Sequence, residues 1–161
     1  MANYNTLLIP YVGIPIRNAC MLVVIFLSAC TSNSGNSTES NSNNSSSVKF
    51  DQYYVQGEKL YIEHCSNCHQ EKGTGLGRLF PPLAVSDYMT NNFDSVVCLM
   101  RNGKRGSITV NGIGFNQEMK GIPALSDLEV AEIATYIYNT WQNQRGLVDV
   151  KEVSAIMAKC E

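Results

Sequence analysis

The distribution of apolar and polar residues divides the chain into three stretches. An apolar run occupies residues 19–29, and residues 31–47 follow, in which thirteen of seventeen residues are Ser or Asn. From about Phe50 onwards, apolar residues recur three or four positions apart, which is the spacing of one face of an α-helix. The pattern therefore predicts a helical domain that is preceded by a polar stretch and a short apolar segment.

Four helices are predicted within this domain. Asp51 and Asp94 are the expected N-caps of the first two, and Ser126 with Glu129 forms a capping box that starts the last large helix. The segments are residues 51–64, residues 94–100, the stretch from Ser126 towards Trp141, and residues 150–159. Residues 101–116 are rich in Gly and Asn and are predicted as loop. Because strand signals are few, we expect an all-α fold.

The apolar run is too short to cross a bilayer, but its length suits the core of a signal peptide. It ends in Leu27-Ser28-Ala29-Cys30, which resembles the lipobox of bacterial lipoproteins. This resemblance implies that residues 1–29 are removed and that Cys30 becomes the lipidated first residue. An uncleaved membrane anchor is the alternative interpretation.

Residues 30–48 are predicted to form a disordered tether, because Ser and Asn side chains cannot bury an apolar face. A flexible linker of this length has a root-mean-square reach of about 20–25 Å. We therefore expect residues 49–161 to form a soluble domain that is held close to a membrane. A featureless N-terminal tail is the alternative.

The candidate chemistry is concentrated in Cys65-Ser66-Asn67-Cys68-His69. C-x-x-C-H is the attachment signature of c-type haem, in which two thiols bind the haem vinyl groups and the histidine binds the iron. A zinc site would need a second pair of ligands, and the other histidine is His64, while the other cysteines are isolated. A thioredoxin-like redox site would need a βαβ context that the pattern does not predict. One covalent haem c is therefore the predicted cofactor.

Charge and cysteine content limit the possible partners and the cellular compartment of the protein. The chain has 12 basic and 14 acidic residues, a net charge of −2, so we expect no nucleic-acid partner. The sequence shows no obvious group of acid–base or nucleophilic residues of the kind that catalysis needs. We therefore expect that the protein is not an enzyme. Six cysteines and a covalent haem suit an oxidising compartment outside the cytoplasm.

The segment Gly57-x-x-x-Tyr61-x-x-x-Cys65-x-x-Cys68-His69 resembles the first helix and haem site of class I cytochromes c. The resemblance covers about residues 50–145. It implies a small all-α fold around one haem. It also implies that the first and last large helices cross at Gly57, with Tyr136 beside the crossing.

The same resemblance implies roles for residues that follow the haem motif. The carbonyl of Pro81 is expected to accept a hydrogen bond from Nδ1 of His69, which fixes the imidazole. A plain Pro-Pro turn is the alternative there. Leu83 is expected to pack on the haem.

The sixth iron ligand is expected to be a methionine, because electron carriers of this family place a thioether opposite the histidine. Met119 lies shortly before the last large helix, where the family carries its axial methionine. Met100 is expected in the core and Met157 in the C-terminal tail. Met89, in a predicted loop, is the rival ligand.

Cys98 and Cys160 are the cysteines that remain unassigned in the exported domain. We expect them to form a disulfide that joins the C-terminal helix to the helix at residues 94–100. Two separate thiols are the alternative.

These features together predict a one-electron carrier that is lipid-anchored to a membrane on the periplasmic side of a bacterial cell envelope. Its expected partners are a redox protein donor and acceptor, such as a respiratory complex, a terminal oxidase or a dehydrogenase. A haem-based catalytic or gas-sensing protein with an exchangeable sixth ligand is the alternative.

Overall fold

The computed structural model describes residues 42–160, with side chains from Ser45 onwards. The predicted leader, Cys30 and the first part of the predicted tether lie outside these residues. None of the helices between residues 42 and 160 is long and apolar enough to cross a membrane. The elements are α1 (Ser42–His64), α2 (Ser66–His69), α3 (Asp87–Asn91), α4 (Phe93–Asn102), β1 (Ile108–Val110), β2 (Ile113–Phe115), α5 (Asp127–Ile137) and α6 (Val150–Met157).

The domain is built around the crossing of α1 and α5, which is the crossing that the resemblance implies. Gly57 lies so close to α5 that a Cβ atom there would be 2.6 Å from the carbonyl carbon of Glu132 and 2.9 Å from Cβ of Tyr136. Only glycine permits such an approach of two backbones. The rings of Tyr61 and Tyr136 pack beside the crossing, with their centroids 5.5 Å apart. The crossing therefore positions the end of α1, and Cys65 follows directly.

Helix α1 begins at Ser42, well before the predicted start at residue 51. Asp51 therefore lies inside the helix instead of capping it, and the helix takes in residues that were expected to belong to the tether. Ser and Asn are mediocre helix formers, but they do not prohibit a helix. Adding a residue to an existing helix is far easier than nucleating one. Composition therefore indicated the polarity of this stretch but not its boundary.

Helix α4 also differs from the prediction at its N-terminus. Asn92 is the N-cap, without a side-chain capping bond, and Asp94 lies in the first turn, where its negative charge suits the helix dipole. At α5 the predicted capping box is confirmed. The Ser126 hydroxyl accepts a hydrogen bond from the Glu129 amide, and the Glu129 carboxylate accepts one from the Ser126 amide.

The loop prediction for residues 101–116 is wrong in its second half. Strands β1 and β2 form an antiparallel hairpin in which Ile108 faces Phe115 and Val110 faces Ile113. The turn residues Asn111 and Gly112 have φ of 49° and 76°, and positive φ at both positions is what a tight two-residue turn requires. The signal was present as apolar residues on both sides of Asn-Gly, but the Gly and Asn content of the segment hid it.

The C-terminal segment folds back on the domain as α6. Val153 is fully buried and Ile156 is 8% exposed, so the apolar face of the helix docks as the sequence indicated. A disulfide joins Cys98 of α4 to Cys160, with 5.6 Å between their Cα atoms. Lys49 of α1 forms an ion pair with Asp149, the N-cap of α6. The C-terminal segment is therefore attached to both α4 and α1.

Candidate haem-binding site

An apolar cavity of about 500 Å³ lies beside the Cys65–His69 segment. Its walls come from the segment after α2, from α3, α4, the hairpin and α5, and from the segment between the hairpin and α5. Hydrophobic side chains dominate these walls, so a large ring system can lie there away from water. The lining residues include Cys65, Cys68, His69, Pro81, Leu83, Met89, Val96, Met100, Met119, Ile133 and Ile137.

The haem attachment motif forms one helical turn that continues from α1. The Cys65 amide donates to the Tyr61 carbonyl at 2.8 Å, and the His69 amide donates to the Cys65 carbonyl at 3.0 Å. Cys65, Cys68 and His69 consequently line the same cavity. Both thiols are free, Cys68 on the surface and Cys65 half-buried. Burial, with a smaller effect of Cys68, raises the pKa of Cys65 to about 12, so this thiol is protonated at neutral pH.

His69 is held in one orientation by a backbone carbonyl. The residue is 8% exposed, and its Nδ1 lies 3.0 Å from the carbonyl oxygen of Pro81. Because a carbonyl can only accept, Nδ1 carries the proton and Nε2 keeps the lone pair that can bind a metal. Burial lowers the pKa of His69, and the bond to Pro81 opposes this shift only in part. The imidazole is therefore neutral at neutral pH and ready to act as a ligand.

Pro81 reaches His69 because the intervening chain makes a tight return. Gly75 has φ +66°, and a Cβ atom there would lie 2.6 Å from the carbonyl carbon of Pro81, so the position requires glycine. The Gly75 amide donates to the His69 carbonyl at 3.0 Å, and the Leu83 amide donates to the Gly73 carbonyl at 2.8 Å. The glycines thus close the loop that presents Pro81, and Leu83 lines the cavity at its end.

Buried aromatic rings support the chain directly after His69. Tyr61 is fully buried, and its hydroxyl donates to the Gln70 carbonyl at 2.6 Å. Burial raises the pKa of Tyr61, so its hydroxyl remains a donor at any physiological pH. The Trp141 ring lies 5.2 Å from that of Tyr61 and packs against Gly73. Trp141 has φ 52°, a strained conformation for a residue with a side chain, which the packing must hold in place.

Three methionines line the cavity. Met89 and Met100 lie on α3 and α4 and are 3% and 6% exposed. Met89 was expected in a loop, but Ser86 caps a short helix there and accepts a hydrogen bond from the Met89 amide at 3.3 Å. Met119 is half-buried outside any helix, and its amide and carbonyl both bond to Lys104, at 2.9 and 2.8 Å. Met157 does not line this cavity.

Residues of the hairpin also line the cavity, which the sequence analysis missed. Ile108, Val110 and Phe115 form part of its wall. Their contribution depends on the hairpin register, because alternate residues of a strand face the same side. An Asn-Gly turn flanked by alternating apolar residues was the signal that could have identified them.

These residues fit a covalently bound haem c. Two thiols and a neutral imidazole with a free Nε2 line one apolar cavity, and this is the donor set of c-type haem. Between residues 42 and 160, no three His, Cys, Asp or Glu side chains cluster so that they could hold a metal ion directly. The zinc interpretation of the cysteines therefore lacks a ligand set in this part of the chain.

Comparisons with known proteins agree with this site. The family model described as Cytochrome c matches residues 54–141. Cytochrome c-552 of Thermus thermophilus is 29% identical over 105 residues, which cover 63% of this chain and 79% of that protein. Two further relatives are cytochrome c subunits of alcohol dehydrogenase (quinone). The subunit from Gluconacetobacter polyoxogenes is 30% identical over 63% of this chain and 22% of its own length. The subunit from Gluconobacter oxydans is 29% identical over 62% of this chain and 21% of its own length. The chain thus belongs to the cytochrome c family, as a class I c-type cytochrome that binds haem c covalently and carries electrons.

Proposed function

We propose that this cytochrome uses His69 and Met119 as the axial ligands of one haem and passes single electrons between membrane-associated redox proteins outside the cytoplasm. One observation carries the ligand assignment: a neutral His69 imidazole and the Met119 side chain line the same apolar cavity. When bound, the haem supplies a centre that changes between the ferrous and ferric states by one electron. The chain supplies the ligands, the apolar walls and the Pro81 carbonyl, which accepts a hydrogen bond from Nδ1 of His69 and fixes the imidazole.

Two observations favour Met119 over the other methionines of the cavity. Met119 lies outside the helices, so helix geometry does not fix where its side chain points, and its backbone is secured by both bonds to Lys104. Met89 and Met100 lie on helices and are almost fully buried among core side chains. The Met89 carbonyl also accepts a hydrogen bond from the Tyr138 hydroxyl at 2.9 Å, which holds that residue in the core.

The surface position of Cys68 suggests where the haem would exchange electrons with a partner protein. Cys68 is an exposed residue, whereas Cys65 is half-buried. A haem attached to both cysteines would therefore be bonded at Cys68 near the surface, and the apolar walls of the cavity would keep water from the rest of it. A partner that docks over Cys68 would exchange electrons through this side of the haem, and the rigid surroundings of His69 would limit reorganisation between the two oxidation states.

Spectroscopy of three single variants tests the ligand assignment. In the ferric holoprotein, Met119→Ala should abolish the weak far-red band of His/thioether haem, lower the reduction potential and open the iron to added ligands. Met89→Ala and Met100→Ala are matched controls, because each removes a methionine from the same cavity. If one of these removes the band while Met119→Ala keeps it, the ligand assignment is wrong. If the wild-type protein itself lacks the band, the alternative with an exchangeable sixth ligand is favoured.

We also propose that the protein is a lipoprotein of the bacterial envelope. Residues 1–29 would be its signal peptide, Cys30 its lipidated residue and the polar residues before Ser42 its tether, with the domain that begins at α1 on the periplasmic side. The motif Leu27-Ser28-Ala29-Cys30 at the end of a short apolar run supports this. Several acyl chains hold a protein firmly to a membrane, whereas one chain binds only marginally.

Fractionation of cells tests the anchor. Cys30→Ser should release the holoprotein from membranes or leave it unprocessed, while a Ser34→Ala control should stay membrane-bound. Processed Cys30→Ser protein in the membrane fraction would contradict the lipid anchor.

A dehydrogenase, respiratory complex or terminal oxidase is the proposed partner. Relatives named as the cytochrome c subunit of a quinone alcohol dehydrogenase support a dehydrogenase, although the chain matches only 22% of the length of one such subunit. The protein should co-purify from its native membranes with such a complex, and the substrate of that complex should reduce its haem. Co-purification without electron exchange would contradict the proposed partnership.

A further inference from the structure

Helix α4 is both a wall of the cavity and the support of the Met119 segment. Val96, Leu99 and Met100 line the cavity. Directly after the helix, the Lys104 amide donates to the Met119 carbonyl at 2.8 Å, and the Met119 amide donates to the Lys104 carbonyl at 2.9 Å. A movement of the C-terminal end of α4 therefore moves the backbone of Met119.

The end of α4 and the Met119 segment are in close backbone contact. A Cβ atom on Gly103 would lie 2.6 Å from the carbonyl oxygen of Met119, and one on Gly121 would lie 2.5 Å from the carbonyl carbon of Asn102. The Ile122 amide also donates to the Met100 carbonyl at 3.0 Å. The backbones thus touch at Met119 and again at Gly121, and the two segments must move together.

The same half of α4 is joined to α6 and to the residues that follow it. The disulfide joins Cys98 to Cys160. One turn further along α4, Nη2 of Arg101 lies 2.6 Å from Oδ1 of Asp127, and Oδ2 of Asp127 accepts a hydrogen bond from the Ser154 hydroxyl at 2.6 Å. A covalent bond and a polar chain therefore hold α4 to the C-terminal segment.

Helix α6 has no direct part in the site. It lies beyond residues 54–141, the part of the chain that the family model matches. None of its residues lines the cavity. Any effect of α6 on the iron must therefore pass through the elements that it contacts, and α4 is the one that carries the support of Met119.

We propose that Cys98, Cys160 and Ser154 are positioning residues for the sixth ligand, because they hold α4 in the place from which Lys104 positions Met119. The proposal rests on the proposed ligation by Met119. Without these attachments, the end of α4 and the Met119 segment separate from the cavity more often. Each opening leaves the iron without its thioether, which favours the ferric state and admits added ligands.

The test compares purified ferric holoproteins in which different attachments of α6 are removed. The double variant Cys98→Ser/Cys160→Ser lacks the disulfide, and Ser154→Ala is a milder variant that keeps it. Lys49→Gln is the matched control, because it removes the ion pair between α1 and Asp149 without touching α4. Imidazole affinity, the far-red band and the midpoint potential are measured for each.

The double variant should bind imidazole about tenfold more tightly than the wild type and have a lower midpoint potential. Ser154→Ala should fall between the two, and Lys49→Gln should match the wild type. Wild-type affinity and potential in both α4-directed variants would overturn the inference, as would an equal shift in Lys49→Gln. If the wild-type band survives Met119→Ala, the ligand assignment itself fails, so the two failures are distinguishable.

Discussion

Replacing Gly57 with alanine adds one methyl group where α1 and α5 touch. In an isolated helix the change would be stabilising by about 1 kcal/mol, because alanine is the better helix former. Here the new Cβ would lie 2.6 Å from the carbonyl carbon of Glu132, and closer still to its oxygen. Carbon atoms in ordinary contact are about 3.5–4.0 Å apart, so the helices must separate by roughly 1 Å at their crossing.

The separation weakens the packing on both sides of the crossing. A gap of about 0.5–1 Å forfeits roughly a quarter to a half of the attraction between facing atoms. Tyr61 and Tyr136 are buried beside the crossing, and a buried aromatic side chain contributes several kcal/mol. After the gain in helix propensity is allowed for, the loss predicts a net destabilisation of about 2–3 kcal/mol.

Urea unfolding of the ferric holoprotein, followed by far-ultraviolet circular dichroism, measures this change. Gly114→Ala is the matched control, because no atom lies within 4 Å of its added Cβ and its φ is not positive. That variant should stay within about 0.5 kcal/mol of the wild type. Gly57→Val should cost more than Gly57→Ala. A Gly57→Ala protein as stable as the wild type would refute the close-contact explanation of the crossing.

Two further substitutions test single polar contacts. A hydrogen bond from Ser154 and the guanidinium of Arg101 lower the pKa of Asp127. The contribution of this carboxylate to stability is therefore complete above the ordinary carboxyl pKa of 3.8. It is lost as the pH falls through the lower pKa of the folded protein. Asp127→Asn should therefore be less stable at neutral pH and lose less stability on acidification below about pH 4, and acid-unfolding curves parallel to those of the wild type would contradict this. Tyr61→Phe removes the donor to the Gln70 carbonyl and should lower the free energy of unfolding by about 1–2 kcal/mol in urea titrations, whereas an unchanged value would mean that the bond contributes nothing.

Sequence reasoning was most informative where the residue types leave few alternatives. The capping box of Ser126 and Glu129 needs only residues three positions apart, and the structure has it. The resemblance implied a helix crossing at Gly57, and the structure has it, with a close approach that explains a glycine where glycine is otherwise costly in a helix. The chemistry of Cys65, Cys68 and His69 likewise depends on local spacing, which one helical turn satisfies.

Features that depend on distant parts of the chain could not be predicted in the same way. The start of α1 depends on how far a helix propagates into weakly favourable residues, and no local signal marks that point. The strained backbone of Trp141 is held by packing against Tyr61 and Gly73, far apart in sequence. The presence of Met89 and Met100 beside Met119 in one cavity arises only when α3, α4 and the Met119 segment come together.

An equilibrium redox titration of the purified holoprotein, with and without carbon monoxide, tests most directly whether one haem held by His69 and Met119 carries single electrons. A closed sixth position predicts one reversible transition with a slope of one electron and the same midpoint potential under both conditions. Carbon monoxide binds ferrous haem wherever the sixth position is open, which raises the midpoint potential. A clear rise with carbon monoxide, or more than one transition without it, would contradict a single carrier haem with a thioether ligand.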